Sequence, residues 1–281
     1  NTTMPAVYTR DSLARLITDR MRQYGNQCDL NCIDVSRVTD LSRVFASTPE
    51  LRQFNGDISK WDTSKALSMK GFFEGSQFNG DISQWNTSAC TNMSETFKGS
   101  AFDGNISRWD VSRVRHFHGT FSQGAFGDTQ PEDALSAWDV GRAIVMTSMF
   151  EGSSFDGDLS SWNPQQATSM AAMFKNAVFR HDISMWSLEN QPKLDTANMF
   201  KGNPQGLAAQ SITPWVLDML LKENLPFSDQ KWRLATKRYE MLNKGLGLDP
   251  TTRYADIAAI HSALVSPNEV LPIEHLNLGM L

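Results

Sequence analysis

Residues 78–102 read FNGDISQWNTSACTNMSETFKGSAF, and almost the same phrase recurs along the chain. Tryptophan marks each copy, at Trp61, Trp85, Trp109, Trp138, Trp162 and Trp186, with spacings of 24, 24, 29, 24 and 24 residues. Self-similarity on that scale means one structural unit copied in series, each copy burying its apolar face only against its neighbours. Seven residues before tryptophan stand Phe54, Phe78, Phe102, Phe155 and Phe179. In the remaining copy Phe126 lies twelve before, so five residues are inserted within GDTQPEDAL (127–135). Ile58, Ile82, Ile106, Leu135, Leu159 and Ile183 lie three before it. Met69, Met93, Phe117, Met146 and Met170 lie eight after it, and Phe73, Phe97, Phe121, Phe150 and Phe174 twelve after it. Two extra residues shift the last phenylalanine to Phe200, and a degenerate first turn carries Ile33, Leu41 and Phe45.

Spacing within a copy sets an expected path. Met69 and Phe73 are four apart, as are Met93 and Phe97, which predicts one helical face followed by a glycine stop. The short Asp-Ile-Ser-x-Trp stretch predicts a brief strand. The expected fold class is therefore an α/β solenoid, a leucine-rich-repeat-like right-handed coil of about seven turns. The helical pattern of residues 9–25 caps its start. Three segments follow: an N-terminal segment with capping helix (1–28), the solenoid (29–206) and a helical C-terminal cap or small domain (207–281).

The quoted repeat resembles that of BspA-like bacterial surface proteins, a divergent leucine-rich-repeat family. TRDSLARLITDRMRQYG (9–25) and CDLNCIDVSRVTDLSRVF (28–45) are similar to that family's N-terminal cap and first turn. The resemblance covers about residues 9–203. It implies a non-enzymatic, protein-binding protein at the cell surface or secreted, an adhesin or a virulence effector delivered into a host cell.

Composition narrows the field. Hydrophobic residues at 40% and charged residues at 20% describe a folded chain. A net charge of −5 gives no electrostatic reason to expect nucleic acid. No run approaches the 18 or so apolar residues of a membrane span. Three cysteines make no disulfide framework. Cys28 and Cys32 are close enough in sequence to bridge, and Cys90 falls in a column of small apolar residues.

The expected partner is a protein; no cofactor, metal or catalytic group is assigned. Residues just before tryptophan change from copy to copy (Lys60, Gln84, Arg108), as do those four after it (Lys65, Arg113, Arg142). Variable positions amid fixed ones point to solvent, and these define either a basic docking surface or an unoccupied solvated face. The acidic column Asp62, Asn86, Asp110, Asp139 and Asn163 reads as a calcium ladder or, better, as loop-amide caps. A serine column (Ser59, Ser83, Ser107, Ser136, Ser160, Ser184) reads as an internal hydrogen-bond ladder. His116 and His118, two apart, diverge too far to share a metal.

Beyond Asn203-Pro204-Gln205-Gly206 the periodicity stops. Thr213-Pro214, Ser228 and Asp249-Pro250-Thr251 each look like a helix start. No cysteine follows Cys90, which excludes thiol chemistry in the tail. Nothing pairs the tail carboxylates Glu223, Asp229, Glu240 or Asp256 for catalysis. Two alternatives to the recognition scaffold stay open: a structural subunit docking through its C-terminal helices, and an effector with an unrecognised C-terminal activity.

Overall fold

The computed structural model describes residues 6–188, 191, 193–211, 213, 215, 216, 218 and 219. The helices expected to open at Ser228 and Asp249 lie outside the described residues, as do Pro214 and Asn190.

Helix α1 spans Arg10–Tyr24. Thr9 caps it by accepting the Ser12 amide, and Gly25, at φ 86°, closes it by donating to the Met21 carbonyl. Leu13, Ile17 and Met21 recur every fourth residue and are the buried face, laid over the start of the stack.

Behind α1 the copies stack in register. Parallel bridges join Asp40, Ser68, Asn92, His116, Val145, Ser169 and Asp195 in succession, and one more joins Asp29 to Asp57. All of these bridges are isolated, however, and between α1 and Asn203 the described residues contain one short 3₁₀ turn, Leu51–Gln53, and no α-helix. The expected α/β coil with a strand and a helix in each turn is therefore overturned: among the described residues, no copy from Trp61 to Trp186 contains an α-helix, and no sheet of extended strands forms.

Hydrogen bonding shows why both elements fail. In the stretch read as a strand, Asp57 Oδ1 accepts the Ser59 amide at 2.9 Å and the Ile58 carbonyl accepts the Trp61 amide at 3.2 Å. The chain doubles back there, because Asp and Ser offer the backbone a local partner in place of a ladder. In the stretch read as a helix, the amides of Met69, Gly71, Phe73 and Gly75 donate to Asn92, Ser94, Thr96 and Lys98 of the next copy, at 2.8–2.9 Å. The intervening amides of Phe72, Glu74 and Ser76 bond three residues back. A helix would turn every amide along its own axis. Here left-handed residues recur every four positions: Gly71 and Gly75 in one copy, Glu95 and Gly99 in the next, Ala172 and Asn176 further on, with φ between 55° and 66°. Each reverses the local twist, so that alternate amides face the neighbouring copy.

Three aromatic ladders fill the core. Trp61, Trp85 and Trp109 stack with centroids 6.2 and 6.4 Å apart. Trp138, Trp162 and Trp186 repeat this at 6.4 and 6.2 Å after the insertion. Each indole N–H donates to a backbone carbonyl of the preceding copy, as Trp109 does to Ile82 at 3.0 Å. Phe54, Phe78 and Phe102 form a second ladder. The third runs Phe73, Phe97, Phe121, Phe150, Phe174 and Phe200. Offset stacking of this kind adds to plain burial, and it leaves all six marker tryptophans 1–4% exposed.

The apolar core does not end at residue 206. Asn203 caps a short helix, α2 (Pro204–Ala209), and Trp215 extends the indole pattern by donating to the Ser184 carbonyl at 2.8 Å. Trp215, Val216 and Met219 are buried in the same core as the repeats.

Candidate functional site

The turns that follow each tryptophan carry the surface residues of interest. Asp62, Asn86, Asp110 and Asp139 each accept the amide two residues ahead, at 2.9–3.1 Å. This column therefore closes Asx turns, and its side chains are engaged within their own copies. The Ser112 hydroxyl and amide hold the Asp110 carboxyl below its usual range, with the Arg113 charge a lesser cause.

Held on these turns is a groove of about 550 Å³ that crosses four successive copies. Arg113 and Arg115 come from one copy and Arg142 from the next; Thr91 lies on one side, Gln165 and Gln166 on the other. Ser112, Asp139 and Gly141 complete the lining, so every lining residue is polar or glycine. Some arginines elsewhere are neutralised: Arg22 pairs with Glu50 at 2.9 Å, Arg43 with Glu74, and Arg180 with Asp156 at 2.6 Å. Arg113, Arg115 and Arg142 have no ion-pair partner among the described residues.

All six residues named from sequence as a docking surface (Lys60, Lys65, Gln84, Arg108, Arg113, Arg142) are exposed. Only Arg113 and Arg142 are brought together in the groove. Lys65 sits near Asp34 and Asp62, and the Gln84 side chain turns back onto the Ser83 hydroxyl at 3.2 Å. Arg115 was missed. It stands six residues after tryptophan, in the column Leu67, Thr91, Arg115, Ile144 and Thr168, which varies as much as the two columns chosen.

The serine column makes no copy-to-copy ladder; Ser107, for example, donates to Asn105 within its own turn. Threonines do that work instead, Thr63 donating to the Asn86 carbonyl and Thr87 to that of Asp110. Cys28 is buried and Cys32 exposed, both free, with Arg20 on the Cys32 sulfur at 3.0 Å. Burial pushes the Cys90 thiol up to about 11. Among the described residues no three His, Cys, Asp or Glu side chains converge to hold a metal. Nor is any helix among them long and apolar enough to cross a membrane.

Stack and groove together define a repeat protein whose exposed turns carry a cationic, wholly polar surface site. The model of the family described as "Mycoplasma protein of unknown function, DUF285" matches residues 17–131 and 126–215, well over half of the chain, and the protein belongs to that family. No curated protein and no solved structure matches it. The family is related to the surface-repeat proteins that the sequence resembles, while the leucine-rich-repeat architecture itself is not what this chain adopts.

Proposed function

We propose that the protein is a non-enzymatic recognition scaffold, displayed at a cell surface or secreted, that binds an acidic protein partner through the Arg113–Arg115–Arg142 groove. The observation that carries this reading is the set of three unpaired guanidiniums in one polar depression. A guanidinium gains most from a carboxylate or phosphate that it can grip with two parallel N–H donors. Three of them lining one depression, none with an ion-pair partner, form a surface that suits an anion. The rigid stack supports the same role, because the groove is built on turns tied to both neighbouring copies and loses little freedom when it binds. The resemblance to BspA-like proteins favours an adhesin or a delivered effector as the biological setting.

The test is affinity capture with four forms: the unaltered chain, Arg113→Glu/Arg115→Glu/Arg142→Glu, Lys60→Glu/Lys65→Glu, and the chain cut after Met219. A partner lost with the groove reversals and kept with the second pair supports the reading. A partner that survives the groove reversals but is lost when the chain is cut after Met219 assigns recognition to the tail and overturns it.

A further inference from the structure

We propose that the groove reads one phosphate monoester carried on a side chain of its partner, gripped jointly by Arg113, Arg115 and Arg142. This rests on the recognition reading above and sharpens it from acidic partners in general to a single tetrahedral dianion.

Arg113 and Arg142 occupy the same column on adjacent copies, which the His116–Val145 bridge joins. Bridged backbones lie about 4.8 Å apart. Arg115 is two residues beyond Arg113, just past the turn that the Val114 amide closes onto the Val111 carbonyl at 2.9 Å. Its position is pinned from both sides: its amide donates to the Thr91 carbonyl at 2.9 Å, and its carbonyl accepts the Ile144 amide at 2.8 Å. From these roots on two bridged copies, all three side chains line the one groove.

Valence and charge then choose among anions. A lone carboxylate has two oxygens and one charge, too few for three five-donor guanidiniums. A phosphate monoester presents three terminal oxygens and about 1.5–2 negative charges at neutral pH. The lining holds three arginines and one carboxylate, Asp139, which leaves two net positive charges facing that dianion. The groove also lacks any apolar side chain that could anchor a hydrophobic residue. Affinity must therefore come from charge-assisted hydrogen bonds to the anion, with the amides of Gln165 and Gln166 free to steady the flanking peptide.

Fluorescence polarisation of three labelled pentapeptides against the full chain tests this: Gly-Ala-phosphoserine-Ala-Gly and its glutamate and unmodified serine analogues. The phosphopeptide is expected to bind at least tenfold more tightly than the glutamate peptide. Arg115→Gln and Arg113→Gln/Arg142→Gln should reduce it to the level of the serine peptide, whereas Lys60→Gln/Lys65→Gln should leave it unchanged. Affinity should also weaken between pH 7 and pH 5, as the phosphate takes up its second proton near pH 6. Equal binding of the phospho and glutamate peptides, both lost with the arginine variants, overturns the phosphate claim and leaves acidic recognition standing. Phosphopeptide binding that the arginine variants do not change, or no binding by either charged peptide, overturns the inference. If affinity capture also shows no partner dependent on the groove, the recognition reading falls with it.

Discussion

Ala172 offers the sharpest test of how the repeat is built, because helix and left-handed turn demand opposite outcomes from one substitution. Its φ is 55°, and the matching column holds glycine at Gly71 (59°) and Gly119 (58°). An L-residue in that region sacrifices about 1–2 kcal/mol to the contact between Cβ and carbonyl. Ala172→Gly removes that strain, and the greater freedom of glycine in the unfolded chain takes back about 0.5–1 kcal/mol. The variant should therefore be more stable by about 0.5–1 kcal/mol, a rise in Tm of roughly 1–4 °C for a chain of this size. Ala171, next door, is absent from the positive-φ set, so Ala171→Gly should lose about 0.5–1 kcal/mol. Urea unfolding followed by tryptophan fluorescence, with both variants beside the parent, reads the two signs directly. In a helix both would lose about 1 kcal/mol. Parallel losses of that size would refute the left-handed ladder.

Three further outcomes are expected. Trp109→Ala removes a 3%-exposed indole and leaves the Ile82 carbonyl without its donor; it should lose about 3–5 kcal/mol, against about 1–3 kcal/mol for Trp109→Phe, and a loss under about 1 kcal/mol for the alanine variant would show that the ladder is not core. Hydrogen bonds from the serine two residues on hold the carboxyls of Asp57, Asp62, Asp81, Asp110 and Asp158 below their ordinary range. Groups depressed in the folded state stabilise it above the unfolded value of about 3.9 and lose that effect as pH falls below it, so Tm should drop from about pH 4 downward and drop less in Asp57→Asn/Asp81→Asn/Asp158→Asn. Alkylation at pH 8 followed by mass spectrometry should label Cys32 in the folded chain and spare Cys90, whose thiol is buried and pushed up to about 11, until denaturant is added; early labelling of Cys90 would place it outside the core.

Much of the interior was legible from spacing. The tryptophan column, the two phenylalanine columns and the isoleucine column are apolar in copy after copy, and a position that stays apolar through serial copies faces a shared core. Thr9 and Gly25 marked the ends of α1 because caps are local chemistry. The Met69–Phe73 pair misled for a definite reason. Four residues span one turn of a helix, but they also span two periods of an alternating backbone, so the spacing fits both. Residue identity does not break the tie, since Glu95, Ser148 and Ala172 give no sign of a positive φ. Trp215 escaped because its neighbours carry none of the repeat phrase. Arg115 escaped because its column holds leucine, threonine and isoleucine in the other copies, which does not mark a charged face.

Read alone, the chain already determined that one unit is copied and which side chains each copy buries, since both follow from periodicity. Tertiary structure decided where the backbone amides point and which surface residues meet. An amide of Met69 that bonds to Asn92 is committed only when two copies are stacked in register, and that choice excludes both the helix and the sheet. The meeting of Arg113, Arg115 and Arg142 is settled the same way: Arg142 lies in the next copy, beyond the five-residue insertion, and it reaches the groove because stacking makes neighbours of residues the sequence keeps far apart.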